Sequence, residues 1–396
     1  MAEIEFSVMV GSPGGASHLL PLLDTFKKEH GIKVNLTEVT WSAGWPEVVK
    51  FGIYGNGPDV SSIGTTWIGS LAAMQALRPF SEQEIRDLGG AEAFFPCIWN
   101  TGFLQNDPST LWAVPWLGDA MLLYYWEHLL EKVGIHNIET AFASDEALAE
   151  ILEKLRQGGV EYPLAINIKS DSTILHEAAH WIWNAGGAFI SPNGREVAFT
   201  QPAAIQGLRN YFNLRSYIFP SLLDGAETGD LFNKAKAAIH FAGPWLGTSM
   251  HRHPDWFSGI PRVVSVPGTT FAGGSSFVIW KYTARPQESF KLVKFLATQP
   301  VHAPTGVYDH QVPARLEAIH SPIMENDIFH RAYIQSMQRG RSFPSMRLWG
   351  AVEDKLRSAL GNIWADLFSN PNQDLDTCIH KHLDPIAYRL NLTLAN

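Results

Sequence analysis

Residues Ile4–Val10 alternate apolar and polar side chains over most of their length, which predicts a strand. A glycine-rich loop, Gly11-Ser12-Pro13-Gly14-Gly15, follows, and then Leu19, Leu23 and Phe26 recur at helical spacing until Gly31. Ile32–Val39 alternates again. The opening therefore reads strand, helix, strand, and strands joined in that way pair in parallel. Later helices carry their own start signals. Thr200 and Pro202 precede Ile205, Leu208 and Phe212, and Pro286 precedes Phe290, Val293 and Leu296; proline's missing N–H costs nothing in a first turn. Between them Leu164–Ile168, Ala237–Phe241, Val263–Val266 and Phe277–Tyr282 are short, apolar and rich in β-branched residues, as strands are. Towards the C-terminus strands give out, and Val352, Leu356, Ala359, Ile363 and Leu367 mark one face of a long helix. The class is α/β.

At 396 residues the chain exceeds one ordinary core, so two or three domains are expected. It has no internal repeat and no low-complexity tether, which implies lobes joined by chain crossings within β-structure. A net charge of −9 and no Lys/Arg run exclude a nucleic-acid partner. No stretch approaches the roughly 20 apolar residues of a membrane helix. Met1-Ala2-Glu3 runs directly into the first strand with no leader, so the protein is cytoplasmic or its export signal is absent from this sequence. Cys97 and Cys378 make neither a disulfide framework nor a metal knuckle, and no metal or cofactor is expected. Fourteen Trp change the picture most, because indoles serve where a protein grips a partner as well as in cores.

Four segments carry a resemblance. They are Phe26-Lys27-Lys28-Glu29-His30-Gly31-Ile32-Lys33-Val34; Asn56-Gly57-Pro58-Asp59-Val60 with Gly64-Thr65-Thr66-Trp67; Ala113-Val114-Pro115-Trp116 through Tyr124-Tyr125; and Phe232-Asn233-Lys234 with Ala237–Phe241 and Gly243-Pro244-Trp245. Together, in this order, they resemble the extracytoplasmic sugar-binding proteins of ABC import systems, the maltose-binding-protein-like family 1 solute-binding proteins. The resemblance implies a two-lobed periplasmic-binding-protein-like fold, each lobe a mostly parallel sheet with helices on both faces and a ligand cleft between the lobes. It places residues 1–113 and 271–312 in an N-terminal lobe and 114–270 and 313–396 in a C-terminal lobe with a helical end, with crossings near 113–118, 264–271 and 312–316. It further implies a monomer, periplasmic or lipid-anchored outside the cell membrane, that delivers a neutral sugar to ABC permease subunits by hinge closure. No catalysis is implied.

A sugar offers two apolar faces and a rim of hydroxyls, so its site needs flat aromatic rings and polar groups that donate and accept. At the family's cleft positions stand Trp67, Asp119, Trp245 and Trp349, with Glu353 one helical turn beyond Trp349 where the family carries Arg. Trp41, Trp45 and Trp116 join them because they follow strand ends, where open α/β sheets bind ligands, and Thr66 joins them beside Trp67. Gly274, in Gly273-Gly274-Ser275, lets backbone approach a ligand or simply makes a tight turn, whereas Trp181 and Trp183 read as packing. Two enzymatic alternatives remain. His176-Glu177-Ala178-Ala179-His180 matches the zinc-protease pattern H-E-x-x-H, although Trp183 and Gly186 stand where its extended form needs Gly and His. His176 is alternatively a ligand contact, because Trp183-Asn184-Ala185-Gly186-Gly187 resembles the family helix end bordering the cleft. Asp119 and Glu353 would serve a glycoside hydrolase if they lay about 5–9.5 Å apart.

Overall fold

The computed structural model describes residues 2–169, 173–223, 225–298, 312–317 and 328–395. Its strands, in chain order, are β1 Ala2–Val10, β2 Ile32–Thr40, β3 Val60–Gly64, β4 Leu77–Arg78, β5 Phe103–Leu104, β6 Asp107–Leu111, β7 Val114–Ala120, β8 Leu122–Tyr125, β9 Tyr162–Ala165, β10 Ala237–Ala242, β11 Arg262–Ser265, β12 Ala272–Trp280 and β13 Val312–Pro313. The opening folds as its pattern predicts. β1 and β2 pair in parallel, Ala2 opposite Ile32 and Val10 opposite Thr40, with helix Leu20–His30 between them and β3 parallel to β1 on its other side. Gly31 ends that helix at φ 66°, a left-handed conformation that suits glycine. Pro202 and Pro286 are the first residues of helices Pro202–Asn213 and Pro286–Ala297, and the C-terminal pattern becomes helices Trp349–Ser369 and Leu375–Leu394.

The chain divides into two compact units. The first takes Met1–Asp119, Ala272–Asp327 and Ser342–Gly350; the second takes Ala120–Phe271, Ile328–Arg341 and Ala351–Asn396. Residues 114–119 thus go with the first unit rather than the second, because β7 is bonded into the first unit's sheet between β13 and β12. The chain changes unit at 119/120 and 271/272. The described residues 312–317 go with the first unit and those from 328 with the second, and the chain changes again at 341/342 and 350/351. Of the expected N-terminal segment 271–312, residues 299–311 lie outside the described residues.

In the first unit the sheet order is β13-β7-β12-β3-β1-β2, with β4 also on β12. β12 runs antiparallel to β3, and β13 antiparallel to β7. In the second unit the order is β11-β8-β10-β9, and only β9 and β10 are parallel. The sheets are therefore mixed, not mostly parallel. A strand such as β12 that enters its sheet straight from the other unit has no helical crossover behind it to impose the parallel direction.

Val48, Ile63, Ile68, Leu71 and Trp280 form a fully buried core in the first unit, where the Trp280 indole N–H donates to Ser61 Oγ at 2.7 Å. In the second unit Trp364 takes the edges of Tyr211 and Phe212 at 5.3 and 5.0 Å, and Arg209 forks onto Asp376 through two bonds of 2.6 and 2.7 Å. These contacts fasten the two C-terminal helices to helix Pro202–Asn213.

Candidate functional site

In the first unit, the carboxyl ends of β2 and β3 flank that of β1, the edge at which open α/β sheets receive ligands. Trp41 opens helix Trp41–Tyr54 directly after β2, and Thr66 and Trp67 occupy the single turn Thr65–Trp67 directly after β3. The Trp41 and Trp67 rings lie 5.6 Å apart at 58°, and Trp45 reaches Trp67 at 5.9 Å and 49°. Two glycines make this crowding possible. A Cβ on Gly64 would stand 3.3 Å from the Trp41 ring, and one on Gly44 2.7 Å from the Trp67 ring. Trp41 nevertheless keeps 38% of its surface exposed, and Thr66, Trp67 and Trp45 are half-buried. The result is a patch of three indoles that remains partly exposed beside the core.

Three residues of the expected site pack instead. Trp116 stacks on Phe277 at 4.6 Å and meets Phe6 edge-on at 6.5 Å, which leaves it 6% exposed. Gly274, at φ 133°, sits where a Cβ would run into the Leu117 carbonyl of β7, so its freedom is used by the close approach of β12 to β7. Trp349 stacks on Phe343 at 4.8 Å and 23° and is 0% exposed. A platform needs an accessible face, and this indole has none.

Asp119 is the penultimate residue of β7. Its side chain is half-buried, and Oδ1 is enclosed with no hydrogen-bond partner among the described residues. Desolvation pushes the carboxyl up to about 7. An enclosed carboxyl oxygen of this kind accepts readily from a hydroxyl.

In the second unit Trp245 follows β10 as the second residue of helix Pro244–Arg252 and is 42% exposed. The Tyr124 hydroxyl on β8 donates to the Gly243 carbonyl at 3.1 Å and fixes the turn that presents this indole. His176 is half-buried and lies flat on Phe271, centroids 3.8 Å apart at 3°. Glu353 is half-buried on helix Trp349–Ser369. Phe271 beneath His176, and Arg341, whose guanidinium lies 5.2 Å over the Trp183 ring, escaped the sequence reading. Their neighbours in sequence give no hint of either pairing.

The H-E-x-x-H segment lies on helix Thr173–Asn184, but its side chains are turned to structural work. His180 is fully buried, with Nε2 2.8 Å from Asp145 Oδ1 and Nδ1 3.0 Å from the Thr269 carbonyl. Glu177 Oε1 accepts the Asn167 backbone N–H at 3.1 Å. With His176 on Phe271, the imidazoles and the carboxylate serve three separate contacts and do not converge on an ion.

The profile of the family described as bacterial extracellular solute-binding proteins matches residues 13–303. A maltotriose-binding protein of Pyrococcus abyssi is 22% identical over 346 residues, covering 84% of this chain and 70% of its own. Among solved structures, the sugar-binding protein MalE of Xanthomonas citri superposes with a TM-score of 0.83 at 20% identity over 100% of this chain and 98% of its own. A solute-binding protein of Thermotoga lettingae bound with alpha-D-tagatose gives 0.83 at 17% identity, with 100% of both chains covered. These neighbours share the two-lobed fold and are binding proteins, not enzymes. No described helix is long and apolar enough to cross a membrane. Matched over most of its length by that profile, the chain belongs to the bacterial extracellular solute-binding proteins.

Proposed function

We propose that the chain is the receptor of an ABC importer for a neutral sugar, from a monosaccharide to a short oligosaccharide. It would act as a monomer outside the cytoplasmic membrane, periplasmic or lipid-anchored, and deliver its ligand to the permease subunits by hinge closure. The observation that carries the reading is the half-exposed indole patch of Trp41, Trp45 and Trp67 at the carboxyl edge of β2 and β3. Asp119, Thr66, His176 and Glu353 supply hydroxyl partners, and Trp245 a platform on the second unit. Indoles cover the apolar face of a pyranose, and carboxylates accept from its hydroxyls while repelling anions. The name of the Pyrococcus relative supports a sugar ligand. A glycan panel read by thermal shift, followed by calorimetric titration of the hits, tests it. Micromolar binding of a neutral sugar is expected; tight binding of an organic acid or a sugar phosphate without any sugar would overturn it.

A further inference from the structure

We propose that Asp366, Cys378 and His382 form a binding site for a borderline-soft divalent cation, zinc above all, within the second unit. Cys378 and His382 are four residues apart on helix Leu375–Leu394, so they share one face, and Asp366 meets them from the last turns of helix Trp349–Ser369. One ligand atom from each residue lies within 4.8 Å of the other two, and His382 Nε2 is 2.8 Å from Asp366 Oδ2. Bond lengths of about 2.0–2.3 Å around zinc place its ligand atoms some 3.3–3.8 Å apart, so side-chain adjustments of about an ångström close the site. Cys378 is buried, while the His382 and Asp366 side chains are 17% and 32% exposed, which leaves an approach from solvent.

The donor set selects the ion. Sulfur and imidazole nitrogen beside one carboxylate suit zinc and its neighbours, whereas calcium and magnesium require oxygen ligands. Three protein ligands leave the fourth tetrahedral position to water. Lys381 Nζ holds the same Asp366 oxygen at 2.6 Å and neutralises it; an arriving cation takes over that role and displaces the ammonium. The ion would pin the two C-terminal helices together and stabilise the unit by its binding free energy. The sequence reading expects no metal because it compares Cys97 with Cys378, while the informative spacing is Cys378 to His382.

Titration of the full chain with Co2+ tests this. One equivalent should bind with a near-ultraviolet sulfur-to-cobalt band, and Zn2+ should abolish the band and raise the melting temperature. Cys378→Ser should remove the band and Cys97→Ser should leave it. His382→Gln should weaken binding by more than about tenfold, the loss that even a ligand-supporting partner causes. Lys381→Gln should tighten it. Absence of the band, unchanged affinity in His382→Gln, or loss of the equivalent on replacing His176 and His180 would each overturn the assignment. If Cys378→Ser does not fold, His382→Gln decides, because its side chain reaches the surface.

Discussion

Nε2 of His180 and Oδ1 of Asp145 are 2.8 Å apart, a bond that ties helix Thr173–Asn184 to the start of helix Asp145–Gln157. Because His180 is fully buried, removing its ring takes this partner from Asp145 Oδ1 and leaves a gap beside the Thr269 carbonyl. His180→Ala should therefore lose about 1–3 kcal/mol of stability, measured by chemical denaturation. The same chain should show no peptidase activity, and replacing His176 and His180 together should leave its metal content at the wild-type level. Activity that vanishes with either histidine would restore the protease reading.

Trp245 and Trp349 should part company on mutation. Trp245, exposed on a turn held by Tyr124, is expected to cost affinity. Loss of an indole platform is worth about 2 kcal/mol, or roughly thirtyfold in Kd, with the melting temperature nearly kept. Trp349, buried against Phe343, is expected to cost about 3–5 kcal/mol of stability, with the folded fraction still binding. Calorimetric titration and melts on the two alanine variants separate these outcomes, and a Trp245→Ala protein that binds at full strength would remove it from the site.

Asp119 gives a pH dependence with a definite sign. Its carboxyl titrates at about 7 in the folded chain, against about 3.9 for an unperturbed aspartate. Between those values the folded chain holds a proton that the unfolded chain has released, so stability falls as pH rises through the window and the penalty is complete above about 7. Asp119→Asn removes the titration. Melting temperatures should rise by a few degrees near neutral and alkaline pH and hardly change in acid; an equal effect at both ends would show that the carboxyl is not desolvated.

Hinge closure predicts a smaller particle with ligand. Solution scattering at saturating sugar should give a lower radius of gyration than the free protein. An unchanged radius with a sugar that calorimetry confirms as bound would argue for a rigid receptor.

The elements were legible where local chemistry decides them. The β1–helix–β2 opening and the proline-started helices at Pro202 and Pro286 fold as their patterns imply, because periodicity and first-turn chemistry are local. Strand direction was not legible: an apolar, β-branched run such as Phe277–Tyr282 looks the same whether the strand runs with β3 or against it. Nor was the use of each indole. Trp41 and Trp116 both read as following strand ends, yet Trp116 lies inside β7, where Phe6 and Phe277 close over it, while Gly44 and Gly64 give the Trp41 patch its space. Gly274 was open between ligand and backbone until the Leu117 carbonyl appeared beside it. The packing of Trp116 and Gly274 depends on residues a hundred or more positions away, Phe6 and Phe277 for the one and Leu117 for the other.

The fork between Arg209 and Asp376 joins residues 167 positions apart, and Trp364 closes on Tyr211 and Phe212 from nearly as far. A chain made from its N-terminus cannot form these contacts until its last two helices have been synthesised, so the apolar face of helix Pro202–Asn213 waits uncovered through much of translation. Loop-closure entropy over such separations slows the final search as well. The second unit thereby completes its fold only after those helices have been made, and until then its unfinished form is open to aggregation and proteolysis.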